Sequence, residues 1–228
     1  MIPRDYQKAA VAAARDRLAT HGNTLLVLPT GAGKTAIAGF CIGEELEHRR
    51  QDRVLVLQHT DELVDQNRSS IGAITGLSTS VVKAEQDNWD GRIVFGSVQT
   101  LARANRRARM AAVSHLVIDE CHRAASTSYQ AVIDDARSLN PNIKLLGLSA
   151  TPSRGDGRSL RKTFSNELFP VEQARIVALL VERVDISTDA LDVRLRTDGL
   201  ADQRHHNADA PVIGQHHLLE KTLQAAVG

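Results

Sequence analysis

The stretch that decides the fold reads Thr24-Leu25-Leu26-Val27-Leu28-Pro29-Thr30-Gly31-Ala32-Gly33-Lys34-Thr35. Residues 24–28 form a short continuous apolar run, which is typical of a buried strand. Pro29 and the two glycines interrupt that run, and from residue 34 to residue 49 the pattern becomes helical. The stretch therefore predicts a strand, a glycine-rich loop and a helix in immediate succession.

The loop of residues 29–35, called the phosphate loop below, carries the residue types that bind a nucleotide phosphate. Glycines allow backbone N–H groups to curl around a phosphate, and the following helix N-terminus adds positive potential. In the pattern G-x-x-x-x-G-K-[ST], the lysine reaches the β- and γ-phosphates and the hydroxyl binds Mg²⁺. Leu28 stands where that pattern has its first glycine. A glycine turn followed by a chance Lys-Thr pair is the alternative, and the strand-to-helix position disfavours it. The predicted nucleotide-binding residues of the loop are Thr30, Gly31, Ala32, Gly33, Lys34 and Thr35.

The rest of the chain repeats the alternation of apolar runs and helical stretches. A first helix is predicted over residues 5–20, with Asp5 as its N-cap and Gly22 as its terminator. Residues 80–83 form a further possible strand, and residues 86–91 are predicted to be a turn-rich connection. The clearer apolar runs lie at residues 54–57, 93–95, 115–118 and 145–148. This order predicts an α/β fold with a parallel β-sheet flanked by helices.

Length and composition restrict the class of protein. The chain has 228 residues, 42% of them hydrophobic, and 28 Lys+Arg against 27 Asp+Glu, so its net charge of +1 gives no global signal for a polyanionic partner. The apolar runs are too short for a membrane helix, which predicts no membrane partner. Two cysteines and a polar N-terminus predict a cytoplasmic protein. Because the chain becomes polar and His-rich late, we expect a compact domain over residues 1–184 and a tail over residues 185–228.

A second candidate site is the segment Leu116-Val117-Ile118-Asp119-Glu120-Cys121-His122, an apolar strand that ends in two adjacent carboxylates. Ligands bind at the carboxyl edge of a parallel sheet. Asp119 fits the carboxylate that holds Mg²⁺ in an ATPase, and Glu120 fits the group that activates the attacking water. A solvated acidic turn is the alternative, and the presence of the phosphate loop disfavours it. Lys34, Asp119 and Glu120 are the predicted catalytic residues, and Thr35 with Asp119 the predicted Mg²⁺ ligands.

Three segments taken together resemble motifs I, II and III of superfamily 2 DEAD/DEAH-box helicases: residues 29–35, Asp119-Glu120-Cys121-His122, and Ser149-Ala150-Thr151. The resemblance covers about residues 3–157 and is greatest to the RadD-type group of bacterial DNA helicases. It implies the first RecA-like P-loop NTPase domain of such a motor, with ATP and Mg²⁺ as cofactors. It also implies that Gln7, with Arg4 nearby, recognises the adenine, and that His122, Ser149 and Thr151 couple hydrolysis to nucleic-acid binding.

Residues 59–66 resemble motif Ia of these helicases, and residues 96–101 resemble a later nucleic-acid motif of the same domain. Asp61 departs from the family, which often has Arg or Lys there, and an acid beside a phosphate is repulsive. An arginine-rich stretch over residues 103–109 follows, which is either a phosphate contact or a solvated helix face. The nucleic-acid residues implied by the resemblance are His59, Glu62, Gln66, Ser97, Gln99 and Thr100.

The resemblance implies an N-terminal motor domain of an ATP-dependent DNA helicase or translocase. Its DNA partner would be single-stranded or branched. The tail is similar to a linker that precedes the second RecA-like domain, so a second domain acting in trans is a further expected partner. Two alternatives stay open: a motor subunit of a restriction system, and a non-catalytic module that binds ATP or nucleic acid.

Overall fold

The computed structural model describes residues 1–150, 160 and 163–164, and the strands 181–186 and 191–195. The chain divides into two compact units, Met1–Leu168 and Phe169–Gly228. The second unit contains an antiparallel pair of strands, β8 (Val181–Ile186) and β9 (Leu191–Leu195). The predicted boundary between residues 184 and 185 falls inside β8.

The first unit alternates strands and helices as the sequence predicts. Its helices are α1 (Asp5–His21), α2 (Lys34–Leu46), α3 (Asp61–Thr75), α4 (Val98–Leu101), α5 (Ala104–Arg107) and α6 (Thr127–Leu139), with a 3-10 turn at Cys121–Arg123. Its strands are β1 (Asn23–Val27), β2 (Val54–Gln58), β3 (Thr79–Lys83), β4 (Gln86–Asp87), β5 (Ile93–Ser97), β6 (His115–Ile118) and β7 (Lys144–Ser149).

These seven strands form one sheet in the order β1-β7-β6-β2-β5-β3-β4, and every pairing is parallel except that of β3 with β4. The register pairs Val27 of β1 with Ser149 of β7, and Ile118 of β6 with Gly147 of β7. Because parallel strands end at the same edge, the phosphate loop, the Asp119 segment and Ser149 emerge side by side. The sheet order thus brings together the first two sequence motifs and Ser149, the first residue of the third.

The central strands are buried on both faces, as their unbroken apolar runs predict. Every residue of β2, β5 and β6 is buried. Helices α1, α2 and α3 pack side by side against the sheet, and α4 packs against α6. The largest fully buried side chains include Tyr129, Phe95 and Phe164. The sheet is therefore a rigid support for the loops at its edge.

The structure corrects three predicted boundaries. Asp5 is not the N-cap of α1: Arg4 takes that position, and its backbone N–H donates to Gln7 Oε1 at 3.0 Å. Gly22 ends α1 at φ 72°, as predicted, because a glycine adopts this left-handed conformation without strain. Helix α2 ends at Leu46 rather than near residue 49, and the connection 86–91 begins with the short strand β4. Among the described residues, no helix is both long and apolar enough to cross a membrane.

Candidate nucleotide-binding site

The phosphate loop joins β1 to α2 with two residues in the left-handed region. Gly31 has φ 84° and Gly33 has φ 70°, conformations that L-residues with a side chain rarely adopt. Gly33 is the N-cap of α2, so the helix begins at Lys34, and the first-turn amides of a helix have no partner within it. These amides and the helix dipole make the end of the loop suitable for an anion.

Helix α1 supports the loop from one side. The Tyr6 hydroxyl donates to the Ala32 carbonyl at 3.1 Å, and Arg4 Nη1 donates to the Tyr6 hydroxyl oxygen at 3.2 Å. A Cβ on Gly33 would lie 2.8 Å from Gln7 Nε2, so a side chain at this position would displace the end of Gln7. Arg4 and Gln7, the residues predicted to bind adenine, therefore lie beside the loop. Tyr6 was not predicted as a site residue, although it lies between them in the sequence.

Leu28 replaces the first glycine of the phosphate-binding pattern without disturbing the loop. Its side chain is 1% exposed in the core, and its backbone N–H donates to the Ser149 carbonyl at 2.9 Å. The Leu28 carbonyl accepts a hydrogen bond from Lys34 Nζ at 3.4 Å. Position 28 thus extends the pairing of β1 with β7, where a buried side chain is suitable.

A chain of three side chains connects the phosphate loop to the acidic segment. Thr35 Oγ1 contacts Asn67 Oδ1 at 3.2 Å, and Asn67 Nδ2 donates to Asp119 Oδ2 at 3.1 Å. The structure therefore brings the two predicted Mg²⁺ ligands, Thr35 and Asp119, to opposite ends of one amide. Asn67 was missed in the sequence. Its signal is a polar residue at a core-facing position of α3, three residues after Val64 and four before Ile71.

The two predicted catalytic carboxylates have different surroundings. Asp119 Oδ1 accepts from the Glu120 backbone N–H at 3.0 Å, and burial, the largest cause, raises the pKa of Asp119 above its ordinary value. Glu120 has the left-handed φ of 48°, a conformation that residues with a side chain rarely adopt. Its Oε2 lies 3.2 Å from His122 Nδ1, although the two groups are not aligned for a hydrogen bond. The Glu120 side chain is 38% exposed, so its carboxylate can contact a water.

The donor atoms at this edge fit a magnesium ion. Mg²⁺ prefers oxygen ligands and is often bound by one or two carboxylates together with substrate phosphates. The Thr35 hydroxyl and the Asp119 carboxylate supply such oxygens, and both are fixed by Asn67. The residues present therefore suit a Mg²⁺–phosphate ligand.

The residues predicted to contact a nucleic acid divide into two groups. Glu62, Gln66 and Gln99 are exposed. Ser97 and Thr100 are buried: the Ser97 hydroxyl accepts from the Thr100 N–H at 3.3 Å, and the Thr100 hydroxyl accepts from the Ala84 N–H at 2.9 Å. Both hydroxyls thus accept hydrogen bonds within the protein, at the start of α4 and beyond the end of β3, and their nucleic-acid role stays a prediction.

His59 lies beside the acidic segment rather than on an open surface. Its ring is stacked on Tyr129 with the centroids 6.5 Å apart, and its Nε2 is 3.2 Å from Arg123 Nη1. Burial and the Arg123 charge lower the pKa of His59, so Nε2 accepts the hydrogen bond from Arg123. Ser149 is buried at the end of β7. Thr151, the other coupling residue predicted from motif III, lies outside the described residues.

The arginine-rich stretch after Gln99 is largely occupied by contacts within the protein. Arg107 Nε donates to Asp135 at 2.7 Å, Arg109 forms an ion pair with Asp87 at 2.9 Å, and Arg106 donates to the Gln86 carbonyl. These contacts disfavour a phosphate-binding role for the three side chains. Asp61, whose charge was expected to repel a phosphate, is the first residue of α3, and its carbonyl accepts from Lys83 Nζ at 3.4 Å.

Residues 1–154 match the family described as type III restriction enzyme, res subunit. The matched segment contains the phosphate loop, Asn67, the acidic pair and Ser149. The chain belongs to this family. Membership agrees with the resemblance to the first domain of superfamily 2 helicases, and this broader assignment is confirmed.

Curated relatives of this res-subunit domain are named ATP-dependent DNA helicases. The Aspergillus terreus helicase mph1 is 29% identical over 221 residues, which cover 90% of this chain and 19% of the relative. The Saccharomyces cerevisiae helicase MPH1 is 30% identical over 162 residues, covering 66% of this chain and 16% of the relative. The chain thus spans less than a fifth of the length of these relatives.

Solved structures share the fold of the res-subunit domain. The Pyrococcus furiosus Hef helicase domain has a TM-score of 0.66 at 24% identity, over 81% of this chain and 41% of that one. The UvsW helicase from bacteriophage T4 has a TM-score of 0.59 at 23% identity, over 73% and 60% of the two chains. These similarities confirm the predicted α/β fold with a mostly parallel sheet flanked by helices.

Proposed function

We propose that this chain is the N-terminal motor domain of an ATP-dependent DNA helicase or translocase and that it hydrolyses Mg·ATP. One observation carries the proposal: the Thr35–Asn67–Asp119 hydrogen bonds join the phosphate loop to the acidic pair at one edge of the sheet. The names of the curated relatives, which are ATP-dependent DNA helicases, support the choice of ATP and DNA.

Each side chain has a part in this reaction. Lys34 and the amides at the start of α2 bind the β- and γ-phosphates, and Gln7 with Arg4 contacts the base. Thr35 and Asp119 would hold Mg²⁺, which would neutralise charge on the phosphates. Glu120 accepts a proton from the water whose oxygen bonds to the γ-phosphorus, while the bond from that phosphorus to the β–γ bridging oxygen breaks and ADP leaves. Because Glu120 is a neighbour of His122, proton uptake also changes the charge beside the His59–Arg123 pair.

The proposal includes partners. A DNA strand, single-stranded or branched, would bind the exposed Glu62, Gln66 and Gln99 side, with Ser149 and Thr151 responding to the nucleotide. A second RecA-like domain, in the same polypeptide or in trans, would complete the ATP site. The RadD-type subgroup and a cytoplasmic location belong to the same proposal and rest on the sequence resemblance and composition.

Replacement of Lys34 by alanine tests the nucleotide site. The change removes a charge-assisted contact to phosphate, so the dissociation constant of ATP should rise by at least about tenfold, from the loss of roughly 1.5–3 kcal/mol. The matched control is Lys8→Ala, an exposed lysine on α1 that pairs with Asp5 at 3.0 Å. Unchanged ATP affinity in a folded Lys34→Ala protein would contradict the nucleotide site.

Addition of a second RecA-like domain tests the motor. An arginine finger from a second domain is worth about 10³–10⁵ in rate, so the isolated chain should bind ATP and hydrolyse it very slowly. ATPase and strand-separation assays with and without a separately expressed second domain measure this. Robust ATP-dependent unwinding by the 228-residue chain alone would contradict the two-domain requirement, and absence of turnover with every added domain and DNA would favour the non-catalytic alternative.

A restriction-system motor is the second candidate, and two findings favour it. The matched family is named for a restriction enzyme subunit, and a structure of the type ISP restriction-modification enzyme LlaGI has a TM-score of 0.57 over 83% of this chain. A neighbouring gene for a methylase or nuclease would support it. Biochemically, a duplex translocase displaces a third strand without separating the duplex, whereas a helicase separates the strands.

A further inference from the structure

Asn67 has an amide whose orientation is determined by its neighbours. An ionised carboxylate only accepts hydrogen bonds, so the Asn67 amide nitrogen must face Asp119, and the contact is 3.1 Å long. The amide oxygen is left for Thr35 Oγ1 at 3.2 Å. The Thr35 hydroxyl therefore donates its proton to Asn67, and both oxygen lone pairs of Thr35 stay available for a cation.

The same amide is well placed to fix both oxygens. Asn67 is 5% exposed on α3 between Val64 and Ile71, which are fully buried. Thr35 and Asp119 lie on different elements, the start of α2 and the end of β6, and Asn67 contacts each of them from a third. A buried polar group that uses both its donor and its acceptor is held in one geometry, because either loss leaves an unsatisfied group.

We propose that Asn67 is a positioning residue for the metal ligands: it orients the Thr35 hydroxyl and the Asp119 carboxylate as a preformed pair for a divalent cation. The inference rests on the proposed ATPase function. It adds a residue that lies outside both the phosphate loop and the acidic segment of residues 116–122. Residues that orient ligands in this way change metal affinity by about 10–100-fold when they are replaced.

Electron paramagnetic resonance titration of Mn²⁺ tests this directly, because Mn²⁺ substitutes for Mg²⁺ and is visible when bound. The full chain is titrated in the presence of a non-hydrolysable ATP analogue, as wild type, Asn67→Leu and the control Ser69→Ala, an exposed residue of α3. We expect Asn67→Leu to weaken Mn²⁺ binding by about 10–100-fold. Affinity for the analogue measured in EDTA should stay within about twofold, because Lys34 and the α2 amides are unchanged.

A double substitution separates positioning from a general loss of structure. If Asn67 acts through Thr35, the double variant Thr35→Val/Asn67→Leu should lose less Mn²⁺ affinity than the product of the fold-losses of the two single variants. If Asn67→Leu does not fold, Asn67→Ser, which is smaller and polar, replaces it in the same titration. Unchanged Mn²⁺ affinity, or an equal loss of affinity with and without metal, would overturn the proposal.

The outcome also distinguishes this inference from the proposed function. If the wild-type chain binds neither the ATP analogue nor Mn²⁺ with it, the proposed function fails first. If the wild type binds both and the Asn67 variants bind Mn²⁺ equally well, only the role of Asn67 is wrong.

Discussion

Strand β6 has a cluster of ionisable side chains at each end, and the two clusters are built on opposite principles. At its start, His115 meets Glu45 of α2 and Lys144 of β7; at its end, Asp119 and Glu120 follow Ile118. Both clusters contain a carboxylate removed from bulk water. They differ in what neutralises it.

The Glu45 cluster is satisfied by the protein itself. Glu45 Oε2 lies 3.0 Å from both His115 Nε2 and Lys144 Nζ, and Oε1 lies 3.4 Å from Arg15 Nε. Ser114 Oγ lies 2.8 Å from the other His115 nitrogen. The hydrogen bond with His115 is the main reason that the pKa of Glu45 is far below its ordinary value. At this end of the strand, the contacts of Glu45 with basic side chains therefore stabilise the fold.

Asp119 accepts two hydrogen bonds and forms no ion pair within the part of the chain described here. Its pKa is raised by burial, the reverse of the direction at Glu45. A buried carboxylate without a cation is costly, and such groups gather at functional sites. Basic side chains of the protein thus contact the carboxylate at one end of β6, whereas the carboxylate at the other end accepts hydrogen bonds from an amide and a backbone N–H.

Glu120→Gln should have the largest effect of the changes that probe this comparison. The amide keeps the shape and leaves Asp119 intact but cannot accept the proton of water, so hydrolysis should fall by about 10²–10⁴-fold. Single-turnover hydrolysis with the second domain present, and ATP affinity by titration, measure the two effects separately. Hydrolysis at the parent rate would show that Glu120 is not the base; equal loss of binding would show that it is a ligand.

Glu45→Ala should have the next largest effect, on stability instead of chemistry. Removal of one partner from a buried charge cluster leaves His115 and Lys144 without their acceptor and costs about 3–5 kcal/mol. Denaturant unfolding measures this loss, and Glu44→Ala, whose exposed carboxylate pairs with Arg15 at 2.6 Å, is the matched control with a cost below about 1 kcal/mol. A loss at Glu45 no larger than at Glu44 would contradict the structural role.

The sequence analysis selected the Asp119-Glu120 end of β6 as a candidate site and did not detect the Glu45 cluster at the other end. The phosphate loop and the Asp119-Glu120 pair are local motifs, so spacing alone identifies them. The Glu45 cluster joins residues 70 and 99 positions apart, and Glu45 lies on a helix where an acid is usually solvated. Such a contact follows from the strand order β7-β6-β2, which no local pattern contains.

The same reason explains why the contacts of several polar side chains were not predicted. The role proposed for Asn67 follows only from the folded chain, in which its side chain reaches both Thr35 and Asp119. Ser97 and Thr100 match a nucleic-acid motif in sequence, but the turn from β5 into α4 uses their hydroxyls internally. Strand positions were predictable because buried apolar runs are local features of the sequence. The hydrogen-bond partners of polar side chains were not predictable, because they come from distant parts of the sequence.

Acid should reduce the stability of the wild type through Glu45, and Glu45→Gln should reduce this dependence of stability on pH. The pKa of Glu45 is lowered on folding, so ionised Glu45 stabilises the folded state. This stabilisation is fully present above the ordinary pKa of 4.5 and is progressively lost as the pH falls below 4.5. Charge-assisted hydrogen bonds contribute about 1.5–3 kcal/mol, so Glu45→Gln should lose stability of that order at pH 7 and less at pH 3. Urea unfolding at both pH values measures it. The same loss at both values would contradict the titration of Glu45.

Asp119→Asn should have the smallest effect on stability, although it has the same chemical change as Glu45→Gln. Because the pKa of Asp119 is raised on folding, ionisation favours the unfolded chain as pH rises through the ordinary value of 3.8 and above it, so the charge lowers stability at pH 7. Removal of the charge relieves that cost. The amide at position 119 has one acceptor oxygen fewer than the carboxylate. A flip of the Asn67 side-chain amide would turn its oxygen toward the new NH₂ group at position 119. The Asn67 NH₂ group would then donate to the Thr35 hydroxyl, which can accept as well as donate. We therefore expect the Asp119→Asn variant to have an unfolding free energy equal to that of the wild type or higher by up to about 1 kcal/mol.

Denaturant unfolding of Asp119→Asn at pH 7 measures this, with Glu45→Gln measured under the same conditions for comparison. A loss at Asp119 as large as that at Glu45 would mean that both ends of β6 are structural, and the contrast between them would not hold.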